Sequence, residues 1–281
     1  MTRATLLKLV AAMLALTVVT SVIMLIPEWN GFNGSVEADK VDTLLDVMIV
    51  LSCFVFSIVM VMLAYSVWKY RAKPGDESDG EPIHGNTKLE IAWTLIPTII
   101  VLFGAGYSWV ILDDIEAREP DRMEVLVTGQ QFKWTFEYPE QGIVSNELHV
   151  PVDRQVDFRM TALDVIHSFW VPEWRVKKDL VPGITTSVAA TPDTEGTYSL
   201  VCTEYCGVGH PTMRAFVAVQ SQEEFDQWAS KQEEIPEGEE GLPLVELDPN
   251  GEAPESGIVA PPEEEPGQPG SPAPQVEESG G

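Results

Sequence analysis

The chain has 281 residues, 44% of them hydrophobic, and 44 acidic residues against 17 basic ones give it a formal net charge of −27 at pH 7. This length fits one good-sized domain with additional segments. The negative charge argues against a nucleic-acid partner, because binding to a phosphate backbone needs a basic surface.

Three charge-free runs near the N-terminus predict membrane helices. Residues 9–26, 47–68 and 91–112 contain no Asp, Glu, Lys or Arg, and each comes near the roughly 20 residues that a helix needs to cross a bilayer. The last two runs predict a transmembrane hairpin over residues 40–115. The first run, within residues 1–34, is either a signal sequence or a first membrane helix, and no small-x-small cleavage motif stands out near its end.

Basic residues give the orientation, because short cytoplasmic loops keep Lys and Arg. The linker near residues 69–90 opens with Lys69, Arg71 and Lys73, whereas the far end of the third run meets Asp113 and Asp114. The linker is therefore predicted to be cytoplasmic. We expect an integral protein of a bacterial plasma membrane, with everything after the third run on the extracytoplasmic side.

Alternation of apolar and polar residues predicts an all-β domain over residues 120–232. In MEVLVTGQQFKWTFEY, the rings of Phe132, Trp134, Phe136 and Tyr138 recur at period two, which predicts one strand with four rings on one face. Further extended stretches are HVPVDRQVDFRMTA, TTSVAATP, GTYSLVC and RAFVAVQ. The pattern is typical of an antiparallel β-sandwich or barrel.

The last segment, residues 233–281, is rich in Glu, Pro and Gly. Residues 231–281 hold fourteen acidic residues against one lysine, so this stretch accounts for 13 of the 27 net negative charges. Such a composition cannot bury enough apolar surface to fold. The sequence therefore predicts a disordered, solubilising acidic tail.

The densest group of metal-binding side chains lies in CTEYCGVGHPTM, where Cys202, Cys206, His210 and Met213 are spaced by four, four and three residues. A disulfide is one interpretation, since an outward-facing domain lies in a compartment that permits disulfides. The spacing in a loop between two late strands instead indicates a copper loop, completed by the upstream His167 in DVIHSFW. Thiolate, thioether and imidazole together favour copper over zinc or magnesium.

Two copper arrangements remain open on the residues alone. A mononuclear site needs a single cysteine and leaves Cys202 unused. In a binuclear site both thiolates bridge two ions and each ion takes one imidazole, with the Met213 sulfur and the Glu204 main-chain carbonyl as weak ligands. The position of Cys202, with Glu204 between it and Cys206, favours the binuclear site.

With this CxExCGxxHxxM motif and the upstream DVIHSF, the chain resembles subunit II of cytochrome c oxidase over roughly residues 40–230. The resemblance implies a cupredoxin-like Greek-key sandwich or barrel, preceded by a transmembrane helix hairpin packed on subunit I. It also implies a two-copper centre, called CuA, whose ligands are His167, Cys202, Glu204 through its main-chain carbonyl, Cys206, His210 and Met213.

The same resemblance implies a function. Electrons pass from cytochrome c to CuA and then to haem a of subunit I, where O₂ is reduced to water and protons are pumped. The haems belong to subunit I, and subunit III and membrane lipid are further expected partners. The enzymatic activity is that of an oxidoreductase and translocase, of which this chain is one subunit.

Three further roles follow from the resemblance. Glu90, in LEIAWTLIP, is by position either a carboxylate at a helix N-terminus or a proton-uptake group, and the resemblance implies the entrance of a proton pathway into subunit I. The Glu204 side chain corresponds to a ligand of a magnesium ion shared with subunit I. Many members read WYW where this chain has Phe132, Lys133 and Trp134, so Phe132 and Trp134 are both candidates for accepting electrons.

Other classes of protein are weighed against this hypothesis. The runner-up is a membrane-anchored mononuclear blue-copper electron carrier, which needs one copper ion and no obligatory partner. A quinol oxidase subunit II resembles this chain in its hairpin and β-domain but characteristically lacks the copper ligands. A nitrous-oxide reductase carries a similar binuclear loop within a much larger soluble chain. A structural module with a disulfide in the loop would bind no copper.

Overall fold

A computed structural model describes residues 2–27, 29–72, 74–75, 80 and 82–234. The N-terminal part consists of three helices, α1 (Arg3–Leu25), α2 (Val36–Tyr70) and α3 (Thr87–Glu116). All three are long and apolar enough to cross a membrane. The predicted linker lies partly outside the described residues, and so does the predicted acidic tail from residue 235 onward.

Each of these helices begins at a polar side chain that caps it. Thr2, Ser35 and Asn86 accept hydrogen bonds from the backbone N–H groups of Thr5, Ala38 and Leu89, which satisfies donors that have no partner within the helix. Helix α3 continues through Pro97, which lies in its interior.

Helix α2 is longer than a bilayer crossing requires. Its 35 residues correspond to roughly 52 Å at 1.5 Å per residue, and its first eleven residues precede the apolar run that starts at Val47. These outer turns contact the β-domain: the Glu37 carboxylate accepts hydrogen bonds from the N–H and hydroxyl of Thr191 at 2.8 and 2.9 Å. On the other side, Lys40 pairs with Asp114 of α3 at 2.7 Å. The outer end of α2 therefore connects the membrane hairpin to the β-domain.

The β-domain contains eleven strands, one short helix and two 3₁₀ turns among the described residues. In chain order they are β1 (Met123–Gln130), β2 (Lys133–Tyr138), β3 (Ile143–Ser145), β4 (Leu148–Pro151), β5 (Val156–Ala162), β6 (His167–Val171), a 3₁₀ turn (Pro172–Trp174), β7 (Val176–Leu180), β8 (Thr186–Ala190), β9 (Gly196–Cys202), a 3₁₀ turn (His210–Thr212), β10 (Arg214–Gln220), α4 (Gln222–Ala229) and β11 (Glu233–Glu234).

These strands form two sheets, in the orders β11-β3-β2-β1-β5-β8 and β4-β10-β9-β6-β7. The expectation of a purely antiparallel sandwich is wrong in two places, because β1 pairs with β5 and β4 pairs with β10 in parallel. Connections that cross between the sheets bring such distant strands side by side, and a sequence pattern of period two does not reveal the direction of a strand. The β-sandwich fold itself is confirmed.

The stretch predicted as one aromatic strand is a hairpin. Strand β1 ends at Gln130 and β2 begins at Lys133, with Gln131 and Phe132 forming the turn. Three of the four predicted rings, those of Trp134, Phe136 and Tyr138, lie on one buried face of β2. The fourth ring, Phe132, is half-buried in the turn and packs against the edge of the core.

The core lies between the sheets and is closed at one end by α4. Phe158 and Phe169 pack in the middle, with ring centroids 5.2 Å apart. At the closed end, Phe225 and Trp228 of α4 contact Tyr138 at centroid distances of 6.1 and 5.4 Å. Strands β6 and β9 are neighbours in the second sheet. The start of β6 and the end of β9 therefore lie close together, and they carry His167 and Cys202.

Candidate metal centre

Three neighbouring strands position the sulfur and imidazole side chains. His167 is the first residue of β6, Cys202 the last residue of β9, and Met213 immediately precedes β10. The backbone N–H of Cys202 donates to the carbonyl of Met213 at 3.1 Å, and the N–H of Thr203 donates to the carbonyl of Ser168 at 3.1 Å. Sheet hydrogen bonds thus hold the ligand-bearing ends of three strands in register.

The loop between β9 and β10 supplies the remaining ligands. The Cys206 Sγ atom lies 3.9 Å from Cys202 Sγ, 3.7 Å from His210 Nδ1 and 3.8 Å from Met213 Sδ. The Cys202 Sγ atom lies 3.9 Å from His167 Nδ1 and 3.3 Å from the Glu204 carbonyl oxygen. The structure therefore brings together the five side chains and the main-chain carbonyl that the sequence singles out.

The two cysteines are not joined by a disulfide. Their separation of 3.9 Å is far longer than a sulfur–sulfur bond of about 2.0 Å. It lies within the span of two metal–thiolate bonds of roughly 2.3 Å each. The arrangement suits sulfurs that share a metal.

Four of the five side chains in the cluster are buried, and His210 is half-buried. His167 and Met213 are fully buried and the two cysteines are 3% exposed. Burial, and next the neighbouring Cys202, raise the pKa of the Cys206 thiol to about 11, so this thiol is protonated at neutral pH in the metal-free chain. A metal ion must displace that proton to bind.

Asp164 is a functional residue that the sequence reasoning missed. Its Oδ1 atom lies 2.8 Å from His167 Nε2 and accepts the N–H of Val165 at 2.7 Å. Burial raises the pKa of this carboxyl, but the hydrogen bonds outweigh that effect and the pKa is lowered. A carboxylate facing Nε2 holds the imidazole proton there and leaves Nδ1 free for a metal. The DVIH spacing contains this signal, because Asp164 precedes the histidine by three residues.

His167 is fixed from two further sides. A side chain on Gly129 of β1 would lie 3.1 Å from the imidazole ring, so the backbone of β1 approaches the ring closely at this glycine. The Trp134 ring meets the same imidazole edge to face, with centroids 6.2 Å apart. The imidazole therefore has little freedom to rotate.

Two residues of the β1–β2 turn cover the loop, namely Gln131, which the sequence reasoning missed, and Phe132, which it named as a candidate for accepting electrons. The Gln131 side-chain amide donates a hydrogen bond to the carbonyl of Cys206. The Phe132 ring lies so close to Gly209 that a methyl group there would overlap it. No turn signal such as Asn-Gly marks residues 131–132, so nothing local in the sequence predicts this contact.

The remaining predicted residues lie at different depths. Trp134 is 2% exposed and its ring contacts the ligand His167. The half-buried Phe132 contacts the ligand loop at Gly207 and Gly209. The Glu204 side chain is exposed beside the cluster. Glu90 lies far away in sequence in the first turn of α3, where its Oε1 atom accepts the backbone N–H of Asn86 at 3.0 Å. Its structural role is to cap the helix.

The donor set fits copper. Two thiols, two imidazoles and a thioether are soft or intermediate ligands, which suit copper better than magnesium or calcium. Among the described residues, the ligand atoms of His167, Cys202 and Cys206 all lie within 4.8 Å of one another. Once the thiols lose their protons, these residues can hold copper without a large change in the fold.

Comparison with known proteins agrees with this architecture. The family profile described as cytochrome C oxidase subunit II, transmembrane domain, matches residues 31–111, and the one described as cytochrome C oxidase subunit II, periplasmic domain, matches residues 141–221. Cytochrome c oxidase subunit 2 of Synechocystis is 32% identical over 263 residues, covering 74% of this chain and 79% of that one.

A quinol oxidase subunit and a solved periplasmic domain are also similar to this chain. Quinol oxidase subunit 2 of Bacillus cereus is 31% identical over 193 residues, covering 66% of each chain. The crystal structure of the periplasmic domain of subunit II of cytochrome oxidase from Bradyrhizobium japonicum is 28% identical and covers 41% of this chain and 95% of that one, with a TM-score of 0.39.

The three membrane-spanning helices and the match to a periplasmic domain make this an integral membrane protein whose β-domain lies on the extracytoplasmic side. Membership in this family makes the chain one subunit of an oxidoreductase complex, so it has partner subunits. The chain belongs to the cytochrome c oxidase subunit II family.

Proposed function

We propose that this chain holds a binuclear CuA centre, accepts electrons there from cytochrome c, and passes them to haem a of subunit I for the reduction of O₂ coupled to proton pumping. The proposed ligands are His167, Cys202, the Glu204 carbonyl, Cys206, His210 and Met213. A bound copper pair supplies a one-electron carrier whose charge is shared between two ions.

The observation that carries the proposal is the position of Cys202. A mononuclear blue-copper site has no use for this residue, yet its sulfur lies 3.9 Å from both Cys206 Sγ and His167 Nδ1. Each of the two sulfurs has one imidazole Nδ1 within 4 Å. The same complete ligand set argues against a quinol oxidase subunit, despite the similarity to one.

The protein's own residues hold the proposed ligands in place. Sheet pairing holds His167 and Cys202, Asp164 sets the proton position on His167, and the three sulfur atoms lie in buried side chains. Rigid ligands limit the structural change that accompanies electron transfer, so reduction and oxidation proceed with little rearrangement. Trp134 and Phe132 are the candidates for accepting the electron, because one packs on His167 and the other on the ligand loop.

The partner-dependent roles are part of the same proposal. In this proposal the exposed Glu204 carboxylate binds magnesium together with groups from subunit I. Glu90, at the cytoplasmic start of α3, is proposed to receive protons for a pathway in subunit I, in addition to capping the helix. The hairpin of α2 and α3 would pack on subunit I, with subunit III and lipid around them.

The test uses the full chain in detergent, loaded with copper. Two coppers per chain and a seven-line paramagnetic resonance pattern would support the proposal, because one electron shared by two copper nuclei gives seven lines. One copper with a four-line pattern would overturn it in favour of a mononuclear carrier. The Cys202→Ser variant is the matched control: the proposal expects it to lose the seven-line pattern, whereas a mononuclear site would keep its spectrum.

Reduction kinetics separate the two kinds of oxidase. In the assembled complex, the copper signal should be reduced by cytochrome c and the reduction should fail in the Cys202→Ser variant. Turnover with a quinol and none with cytochrome c would contradict the proposed donor.

A further inference from the structure

We propose that Gln131 is a positioning residue of the metal centre, which joins the two separate segments that carry its ligands. The inference rests on the proposed copper site and adds a residue that no ligand pattern identifies. One segment carries His167 at the start of β6, and the other is the loop that carries Cys206. Gln131 lies in the turn between β1 and β2 and contacts both.

The first contact runs to the histidine through Asp164. The backbone N–H of Gln131 donates to Asp164 Oδ2 at 2.8 Å, while Asp164 Oδ1 faces His167 Nε2 at 2.8 Å. The two oxygens of one carboxylate are thus shared between the turn and the imidazole. Any displacement of the turn rotates this carboxylate and changes its hydrogen bond to the histidine.

The second contact runs to the cysteine loop. The Gln131 side-chain amide donates to the carbonyl oxygen of Cys206, the residue whose sulfur lies closest to His210 and Met213. This hydrogen bond fixes the peptide that follows a ligand. The hydrogen bond therefore helps to set the direction in which the Cys206 side chain points.

Steric packing makes this connection stiff. Gly207 has a φ of +133°, a conformation that favours glycine, and a side chain there would lie 2.8 Å from the Gln131 amide nitrogen. Gly209 faces the Phe132 ring with no room for a methyl group. The turn and the loop are in contact over both glycines, so they must move together.

The consequence is that one residue couples the two halves of the ligand set, by its backbone N–H on the Asp164 side and by its side-chain amide on the Cys206 side. Residues that orient metal ligands from outside the coordination shell typically change metal affinity by about 10- to 100-fold when replaced. We expect loss of the Gln131 amide to speed copper loss by about that factor and to shift the reduction potential and the hyperfine couplings.

The experiment compares Gln131→Leu and Gln131→Glu with Gln130→Leu in the full, copper-loaded chain. Leucine keeps the approximate size and loses the donor. Glutamate keeps the shape, but its carboxylate cannot donate to a carbonyl. Gln130 is the matched control, because it is the adjacent exposed glutamine and its side chain has no hydrogen bond among the described residues. Copper release to a chelator, the resonance spectrum and the potential are measured for each, with thermal unfolding of the metal-free chain to check the fold.

The expected result is faster copper release and altered hyperfine couplings in both Gln131 variants, with Gln130→Leu matching wild type. Combining Gln131→Leu with Asp164→Asn should accelerate release by less than the product of the single effects, since both act on one unit. Gln131 variants that match Gln130→Leu in spectrum and release rate would overturn the inference while leaving the copper proposal intact. Failure of the wild-type chain to bind two coppers would instead overturn the proposal on which it rests.

Discussion

The Arg175 guanidinium forms a bidentate ion pair with Asp42 of α2. Its Nε and Nη2 atoms donate to the two carboxylate oxygens at 3.0 and 2.9 Å. The same side chain donates to the carbonyls of Phe32 and Pro172 at 3.2 and 2.7 Å. One arginine of the β-domain therefore holds the outer end of the membrane helix and the segment that precedes it.

Replacing Arg175 should loosen this junction. We expect Arg175→Ala to lower the free energy of unfolding of the β-domain by roughly 2 kcal/mol, the scale of hydrogen bonds to a charged group after solvent screening. Thermal unfolding of the full chain in detergent measures the change. The control is Arg154→Ala, which breaks a more exposed pair with Glu140 at 3.1 Å and should cost under about 1 kcal/mol. An equal decrease in the free energy of unfolding in the two variants would show that the Arg175–Asp42 contact stabilises the protein no more than an exposed ion pair does.

A side chain at Gly209 should displace the turn that covers the ligand loop. The added methyl of Gly209→Ala overlaps the Phe132 ring, and overpacking of this kind costs about 1–3 kcal/mol. We expect a lower melting temperature and faster copper release. Adding Phe132→Ala should restore part of both, because it removes the overlapping ring. If the double variant is worse than Gly209→Ala alone, the overlap is not the cause.

The ring of Phe132 should matter for accepting electrons more than for holding copper. Phe132→Leu keeps an apolar side chain on the loop glycines and removes the aromatic ring. We expect several-fold slower reduction of the assembled oxidase by its cytochrome donor, with copper content and spectrum unchanged. Stopped-flow kinetics measure the rate. Unchanged kinetics would leave Trp134, which packs on His167, as the remaining aromatic candidate.

The metal-free β-domain should lose stability in alkali. Burial and the neighbouring Cys202 raise the pKa of Cys206 from 9.0 to about 11, so the folded chain holds this proton more tightly than the unfolded chain. The resulting stabilisation is complete below about pH 9 and is lost as the pH rises through about 11. Melting temperatures across this window test the expectation. Cys206→Ser removes the titrating group, and a wild-type decline no steeper than that of this variant would contradict the assignment.

Two variants separate the two roles of Glu90. Glu90→Gln keeps an oxygen that can accept the Asn86 N–H but cannot carry a proton, whereas Glu90→Ala loses both functions. If Glu90 feeds a proton pathway, both variants should slow proton uptake by the assembled oxidase in vesicles by roughly an order of magnitude. Uptake at the wild-type rate in Glu90→Gln would leave helix capping as the only role of this residue.

Features with a strong local signal could be predicted from the sequence. The three charge-free runs correspond to helices long enough to span a membrane, and the alternation around Trp134 and Phe136 correctly predicts a buried strand face. Hydropathy could not predict that α2 begins at Val36, because its outer turns are polar and face the β-domain rather than lipid.

Other elements lacked such a signal. Strand β7, with the sequence VKKDL, lies at the edge of its sheet and exposes three charged residues, so it shows no alternation and was missed. The ligand loop was recognisable because its residues are close in sequence. Gln131 was not, since it lies 33 residues from Asp164 and 75 from Cys206 along the chain, and only the folded sheets bring it to them.

The 3.9 Å separation of the Cys202 and Cys206 sulfurs also has a consequence for how the proposed copper centre would be assembled. Sulfurs this close need only a small rotation to oxidise to a disulfide, and the β-domain lies in a compartment where disulfides persist. An oxidised pair offers no thiolate, so it cannot take up copper. If the chain binds copper as proposed, both thiols would therefore have to be in the reduced state when the metal is delivered.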